Sequence, residues 1–271
     1  MVYVPTVASE LASGRWYDAQ STYYLAPSKL QSDYAPIRYE RELRIFRRYC
    51  PSGRVLDVGC STGAFLYQLG RQFPGQYETV GTDVVTEAIA YAASKGLAVE
   101  GGDFLTLQLG NSLFDAITFW AVIEHLAEPS RYLQRAAELL AKGGHCFVLV
   151  PNVNSLAMRL LGNRYRYLMA EHLNYFSGET LRRWGESSGT FHLLGLVSSH
   201  FNPLVILADA VGRRGRPEAP ERARLLATTT RWKQNPFLRP VKYVYDGCEA
   251  VLNRWKLGDN LIMILQKSES L

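Results

Sequence analysis

An α/β fold, a parallel sheet wrapped by helices, is what this chain predicts, and three observations carry that prediction. From Arg54 onward, short apolar runs (RVLDV, YETVGTDV, LAVEGGDF, FDAITFW, HCFVLV) alternate with segments of helical composition. The first run turns through Gly59-Cys60-Ser61-Thr62-Gly63 into an amphipathic segment, the strand, glycine corner and helix unit of nucleotide-binding sheets. Third, 271 residues, 47% of them apolar, suffice for one large domain or two small ones with a full core. The same composition excludes disorder, collagen and coiled coil.

The elements follow in order. Residues 1–35, with Trp16, Tyr17, Tyr23, Tyr24 and Tyr34 at no steady period, read as an arm that packs on or covers something. Pro36 opens a helix in which Ile37, Leu43, Ile45 and Phe46 share a face, and Pro51-Ser52-Gly53 ends it. GTDVVTEAIAYAASKG is a helix that stops at Gly96. PSRYLQRAAELLAKGG is another, with Pro129 near its first turn, Gly143-Gly144 beyond its end, and Leu133, Leu139 and Leu140 as buried contacts. After Pro151 come a helix, a loop around Glu171–Ser177 and a helix from Glu179 capped by Ser177. TFHLLGLVSSH and NLIMILQK are two further strands, and the insert between them has helical stretches at PLVILADAVG and PFLRPVKYVYDGCEAVLNRW. The organisation expected is an arm and lid helix over 1–50, a core over 51–200, a basic helical insert over 201–259 and a final strand over 260–271. No internal repeat is present.

Cys50, Cys60, Cys146 and Cys248 form no C-x-x-C pair, so their spacing gives neither a zinc cage nor a disulfide framework. The N-terminus lacks a basic start with a long apolar run, and no apolar stretch reaches the ~18 residues of a membrane span. A soluble, cytoplasmic protein is expected. The net charge of +5 is unevenly placed: residues 212–242 hold seven Arg and two Lys against two Glu, a net +7, which leaves −2 for the rest. That segment reads as a solvated surface, as a binder of an anionic acceptor, or as a weak peripheral membrane contact through 232–256, where Trp232, Phe237, Tyr243, Tyr245 and Trp255 accompany the charge. Nucleic acid is disfavoured, because no recognition helix or RNA platform accompanies it.

The chemistry gathers at strand ends. A glycine corner holds a nucleotide either by giving its amides to a pyrophosphate or by placing an acid beside a cationic amino acid. Asp57, two residues before Gly59, favours the second, since a carboxylate repels a diphosphate and attracts an ammonium or sulfonium. Asp83 lies 20 residues past Gly63 at the end of the next strand, where a carboxylate accepts from both ribose hydroxyls; taken alone it suits an adenine dinucleotide equally. Asp103 ends the third strand, placed to accept from an adenine amine, and Phe104 to stack on the ring.

In order, VLDVGCSTGAF, GTDVV, GGDF, FDAITFWAVIEHLAEP and LLAKGGHCFVLVPN resemble the class I S-adenosylmethionine-dependent methyltransferases of the group related to the ubiquinone O-methyltransferases. The likeness covers about residues 35–200 and the last strand. It implies a Rossmann-like, seven-stranded, mostly parallel sheet with NLIMILQK antiparallel and helices on both faces. It also implies S-adenosyl-L-methionine as cofactor and S-adenosyl-L-homocysteine as product. By residue, it assigns Asp57 and Gly59, with Cys60 and Gly63 of the same loop, to the methionine end. Asp83 and Val84 go to the ribose side, Gly102, Asp103 and Phe104 to the adenine, and Trp120 near the methionine portion. Two departures stand out. Ser61 replaces a frequent third glycine. Ala121 replaces the first acid of the E-x-x-E-H pattern with which ubiquinone-type enzymes hold a divalent metal, so no metal is expected.

Methyl transfer to an alcohol needs the acceptor aligned, water excluded and a proton accepted. His172, in the substrate-facing segment, and His125, in the loop after the fourth strand, are the candidate bases. Cys60, Cys146 and His145 read as packing residues, Asn152 as a loop turn, and Tyr165, Arg166 and Tyr167 as candidate lining of the acceptor cavity. The expected activity is O-methylation of a small-molecule, sugar or lipid-linked acceptor. An NAD-dependent oxidoreductase and a catalytically silent cofactor-binding subunit are the rivals.

Overall fold

A computed structural model describes residues 2–3, 21–165, 167–201, 203, 206–207, 210 and 239–269. Val2–Tyr3 form β1, and Ser21–Tyr24, Pro27–Asp33 and Glu40–Tyr49 form α1 to α3. Next come β2 (Gly53–Val58), α4 (Ala64–Gln72), β3 (Tyr77–Asp83), α5 (Thr86–Ser94) and β4 (Val99–Gly101). They are followed by β5 (Phe114–Trp120), a 3₁₀ turn (Ile123–His125), α6 (Pro129–Leu139) and β6 (Leu140–Pro151). The chain closes with α7 (Leu156–Leu161), β7 (Asn174–Tyr175), α8 (Gly178–Glu186), β8 (Phe191–Ser199), α9 (Arg239–Arg254) and β9 (Asn260–Lys267).

Seven strands make one sheet in the order β4-β3-β2-β5-β6-β9-β8. The pairs from β4 to β6 are parallel, and β9 runs antiparallel to both β6 and β8. This is the Rossmann-like, mostly parallel sheet with a reversed last strand that the sequence led us to expect. Both faces are covered. On β9, Leu261, Met263 and Leu265 join the core under α6 and α8, while Ile262 and Ile264 join the core under α3 and α4. A strand buried on both faces reads as an unbroken apolar run, which is why NLIMILQK shows no polar alternation.

Four local expectations need correction. The helix expected from Pro36 starts at Glu40, after a turn in which the amide of Arg38 bonds to the carbonyl of Ala35. Glu40 and Glu42 then sit in its first turn and Arg47 and Arg48 in its last, as the helix dipole favours. The arm before it contains α1 and α2. α6 ends at Leu139, so Leu140, expected among its buried contacts, opens β6, and Gly143-Gly144 lie past the helix end but inside that strand. The pairing with β5 shifts between Phe114 and Ala116, and Gly143, at φ 72°, absorbs the extra residues as a bulge. The loop around Glu171–Ser177 contains β7, which pairs with β1 in a two-stranded sheet. The Ser177 cap is as expected: Ser177 and Thr180 form a capping box at the start of α8. Trp16, Tyr17, Arg166, Trp232, Phe237 and nearly all of the basic stretch 212–242 lie outside the described residues. Among the described residues, no helix is long and apolar enough to cross a membrane.

Asn152, just past β6, bolts the returning chain to the sheet. Its Nδ2 donates to the carbonyls of Lys256 and Gly258, both at 2.9 Å, and its Oδ1 accepts from the amide of Asn154 at 3.0 Å. This is the loop role read from the sequence. Asn152→Ala strips partners from buried carbonyls and is expected to destabilise the fold by about 2 to 4 kcal/mol, measured by urea unfolding.

Candidate functional site

The carboxyl ends of β2, β3, β4 and β5 lie side by side: Asp57 is level with Gly81 and Thr118, and Asp83 with Gly101. Loops leaving these ends therefore converge on one crevice, the position where open α/β sheets bind ligands.

The glycine corner crosses it. Gly59 and Gly63 have φ of 71° and 75°, and a Cβ on Gly59 would meet Val122 Cγ2 at 2.5 Å. The loop after β2 thus touches the loop after β5. Its amides are already engaged inside the protein. Those of Gly59 and Cys60 bond to the carbonyl of Thr82, that of Gly63 to the carbonyl of Cys60, and that of Ser61 to Asp83 Oδ2 at 2.7 Å. Four amides of the bend are thus engaged inside the protein, and two carboxylates flank it.

Ser61 has φ of 51°, in the left-handed region that glycine favours, and its hydroxyl is buried without a hydrogen-bond partner among the described residues. This accounts physically for the glycine often found there in the resembling enzymes. Ser61→Gly is expected to stabilise the protein by about 1 kcal/mol and to leave ligand affinity intact, as read by thermal unfolding with and without ligand.

Asp57 is 2% exposed, and its Oδ1 accepts from the Thr118 hydroxyl at 2.7 Å. Burial pushes its carboxyl up to about 7; the Thr118 bond pulls the other way and the Asp83 charge adds to the rise. Asp83 accepts from the Ser61 amide through one oxygen and from the Val85 amide, at 2.9 Å, through the other. A carboxylate offers about four acceptor positions, so capacity for hydroxyls remains. Val84 beside it is exposed. Gly102 has φ of 143° and leads into Asp103, whose Oδ1 accepts from the Leu105 amide at 3.1 Å and from the Tyr132 hydroxyl at 3.2 Å. Phe104 is a core residue at 3% exposure, with Phe119 edge-on at 5.9 Å and Tyr132 tilted at 5.6 Å between ring centroids. Little of its ring is left for an adenine to stack on. Cys60 is buried, its sulfur close to Gly81. Trp120 lies against Phe65, and its indole N–H is buried with no hydrogen-bond partner among the described residues.

A second cluster stands beside the corner. The 3₁₀ turn after β5 and the segment 171–175 are stitched together. Leu173 donates its amide to the carbonyl of Glu124 at 2.7 Å, and Asn174 Nδ2 donates to the carbonyl of Leu126 at 2.6 Å. His125 Nδ1 lies 2.9 Å from the carbonyl of Glu171; a carbonyl only accepts, so Nδ1 carries the proton and Nε2 the lone pair. The stitching brings His125 and His172 edge to face at 4.6 Å and puts Glu124 Oε1 3.9 Å from His125 Nε2. Tyr167 stacks on His172 at 6.4 Å and Tyr175 lies at 6.1 Å, whereas Tyr165 packs with Ala157 and Leu161 in a small core of its own. Burial lowers the pKa of His125, against the pull of the Glu171 carbonyl and charge. Burial also pushes the Glu124 carboxyl up to about 8. One ligand atom from each of Glu124, His125 and His172 lies within 4.8 Å of the others.

Two further side chains belong to the site, and one of them, Tyr34, lies in the arm that the sequence marks. Thr118, the hydrogen-bond donor to Asp57, is visible only through strand register. Tyr34, at the end of α2, donates its hydroxyl to the carbonyl of Thr62 and packs its ring on Tyr67 and Tyr91, so the arm reaches the glycine corner.

A family model described as a methyltransferase domain matches residues 33–190, more than half of the chain. A ubiquinone biosynthesis O-methyltransferase from Pectobacterium carotovorum is 26% identical over 216 residues, which cover 72% of this chain and 83% of that protein. Among solved structures, a SAM-dependent methyltransferase from Archaeoglobus fulgidus matches 93% of this chain and 100% of its own, at TM-score 0.55 and 21% identity. An N-methyltransferase from Bradyrhizobium japonicum, solved in complex with S-adenosyl-L-homocysteine, matches 93% of this chain and 97% of its own, at TM-score 0.54 and 15% identity. At such identities the structural likeness speaks for the fold alone.

Proposed function

The chain belongs to the methyltransferase-domain family, and on that premise we propose that it moves a methyl group from S-adenosyl-L-methionine to an oxygen of a small-molecule, sugar or lipid-linked acceptor, releasing S-adenosyl-L-homocysteine. The observation that carries this reading is the glycine corner, four of whose amides, those of Gly59, Cys60, Ser61 and Gly63, are engaged internally while Asp57 and Asp83 flank it. Such a corner repels a diphosphate and suits a nucleoside bearing an ammonium and a sulfonium, which speaks against a nicotinamide dinucleotide. The name of the Pectobacterium relative supports oxygen as the nucleophile.

In this reading Asp57 faces the cationic methionine end, Asp83 accepts from the ribose hydroxyls and Asp103 from the adenine amine. The acceptor oxygen attacks the methyl carbon in line, a C–O bond forms, and the C–S bond breaks with its electron pair going to sulfur. The charge of the sulfonium is lost, and the acceptor's proton passes to an imidazole of the His125–His172 pair and then to water. His125 Nε2, with its lone pair set by the Glu171 contact, and His172, from the facing segment, share that task. Tyr167 lines the acceptor side, and an anionic acceptor draws on the basic stretch 212–242. The enzyme works in the cytoplasm.

Isothermal titration with S-adenosyl-L-homocysteine and with NAD, followed by methyl-donor turnover on phenols, alcohols and amines, tests this. Binding of the first ligand without the second, and methylation at oxygen, is expected. Binding of NAD alone would support the oxidoreductase. Tight cofactor binding with no turnover on any acceptor would support a silent subunit.

A further inference from the structure

We propose that Glu124, His125 and His172 form a binding site for one divalent transition-metal ion of zinc's class, with His172 supplying from a distant segment the ligand that Ala121 does not. The proposal rests on the methyl-transfer reading only in setting the ion beside an acceptor oxygen; the coordination stands on geometry. It revises the expectation of no metal, which considered only the five residues from Ala121 to His125.

Donor chemistry comes first. One carboxylate and two imidazoles, with a ligand atom from each inside 4.8 Å, form a set suited to zinc, cobalt or iron rather than to magnesium or calcium, which take oxygen ligands. Metal–ligand bonds of about 2.0–2.2 Å set tetrahedral ligand atoms ~3.3 Å apart, so the side chains close on the ion by about an ångström or a little more. Second, His125 is held as a metal-ligating histidine is held: Nδ1–H donates to the Glu171 carbonyl and Nε2 turns its lone pair toward Glu124. Third, Glu124 is 1% exposed, and its Oε2 is buried with no hydrogen-bond partner among the described residues. A carboxylate so buried is costly unless a cation meets it. Fourth, the bonds from Leu173 to Glu124 and from Asn174 to Leu126 fix the two backbones that carry the ligands. Three protein ligands leave a coordination position open. An ion held there lowers the pKa of a hydroxyl bound to it, the service an imidazole base gives in the metal-free protein.

The test uses tag-free full-length protein, stripped with a chelator and titrated with zinc chloride by calorimetry and with cobalt chloride by visible absorption. The expected result is one ion per chain, a cobalt d–d band, and affinity weakened at least about tenfold by Glu124→Gln and by His172→Ala. His200→Ala, which removes the histidine paired with Glu42 elsewhere, leaves it unchanged. S-adenosyl-L-homocysteine affinity, measured on every variant, shows that each is folded. Absence of saturable binding, or binding undiminished in both site variants, overturns the proposal. Zinc binding without S-adenosyl-L-homocysteine binding would sink the methyl-transfer reading and leave the metal site standing; the reverse would do the opposite.

Discussion

Asp57→Asn is expected to weaken S-adenosyl-L-methionine binding by at least about tenfold and, at the same time, to make the ligand-free protein more stable at pH 8. Both effects have one cause. The Asp57 carboxyl is buried beneath the glycine corner and its pKa is raised from 3.8 to about 7. The folded state therefore holds that proton more tightly than the unfolded chain does. The stability linked to it is complete below pH 3.8, falls as pH rises toward 7, and is gone above that. Asparagine keeps the shape, and its side-chain oxygen still accepts from Thr118. It removes a charge whose burial costs on the order of a few kcal/mol above neutrality. The same substitution removes the negative partner of a cationic ligand, and a charge-assisted contact is worth about 1.5 to 3 kcal/mol. Urea unfolding at pH 5 and pH 8, set beside calorimetry with the cofactor, reads both. Equal stability of the two proteins at pH 8 would refute the cost of the buried charge, and unchanged affinity would remove Asp57 from the cofactor site.

His172→Ala is expected to lower kcat by about 100-fold or more and to leave S-adenosyl-L-homocysteine affinity within about twofold of the parent. His172 lies in the segment 171–175, joined to the turn after β5 by the Leu173 and Asn174 hydrogen bonds, while the cofactor residues lie on the loops after β2, β3 and β4. A loss confined to turnover therefore marks a role on the acceptor side. A matching loss of cofactor affinity would mark His172 as a prop of the crevice instead. His125→Ala is expected to act in the same direction, and the double variant to lose less than the product of the two, because the rings share one task.

The strands were legible because burial on both faces leaves no polar alternation to confuse the reading: the buried segments 55–58, 116–119, 146–150 and 261–265 of β2, β5, β6 and β9 are apolar apart from Asp57 and Thr118. The positions of Asp57 and Asp83 at strand ends could be read for the same reason. Features that depend on strand register or on long-range contacts could not. Thr118 reaches Asp57 only because β5 pairs with β2 in one register. The bulge at Gly143 looks in sequence like a helix stop, since a glycine pair serves either purpose. Two-residue strands such as β1 and β7 carry no period at all. Glu124, His125 and His172 meet because the side chain of Asn174 bonds to the carbonyls of Ile123 and Leu126, and a rule of spacing within five residues cannot see a partner 47 positions away.

β9 is placed sixth of seven in the sheet, between β6 and β8, although residues 260–267 follow every other strand in the chain. On the ribosome, β6 and β8 therefore emerge without the neighbour that joins them. Each keeps an open row of amides and carbonyls until the residues past Asp259 leave the exit tunnel. A nascent chain stalled in the insert exposes two unpaired apolar edges, and it is at that moment that this protein most needs a chaperone.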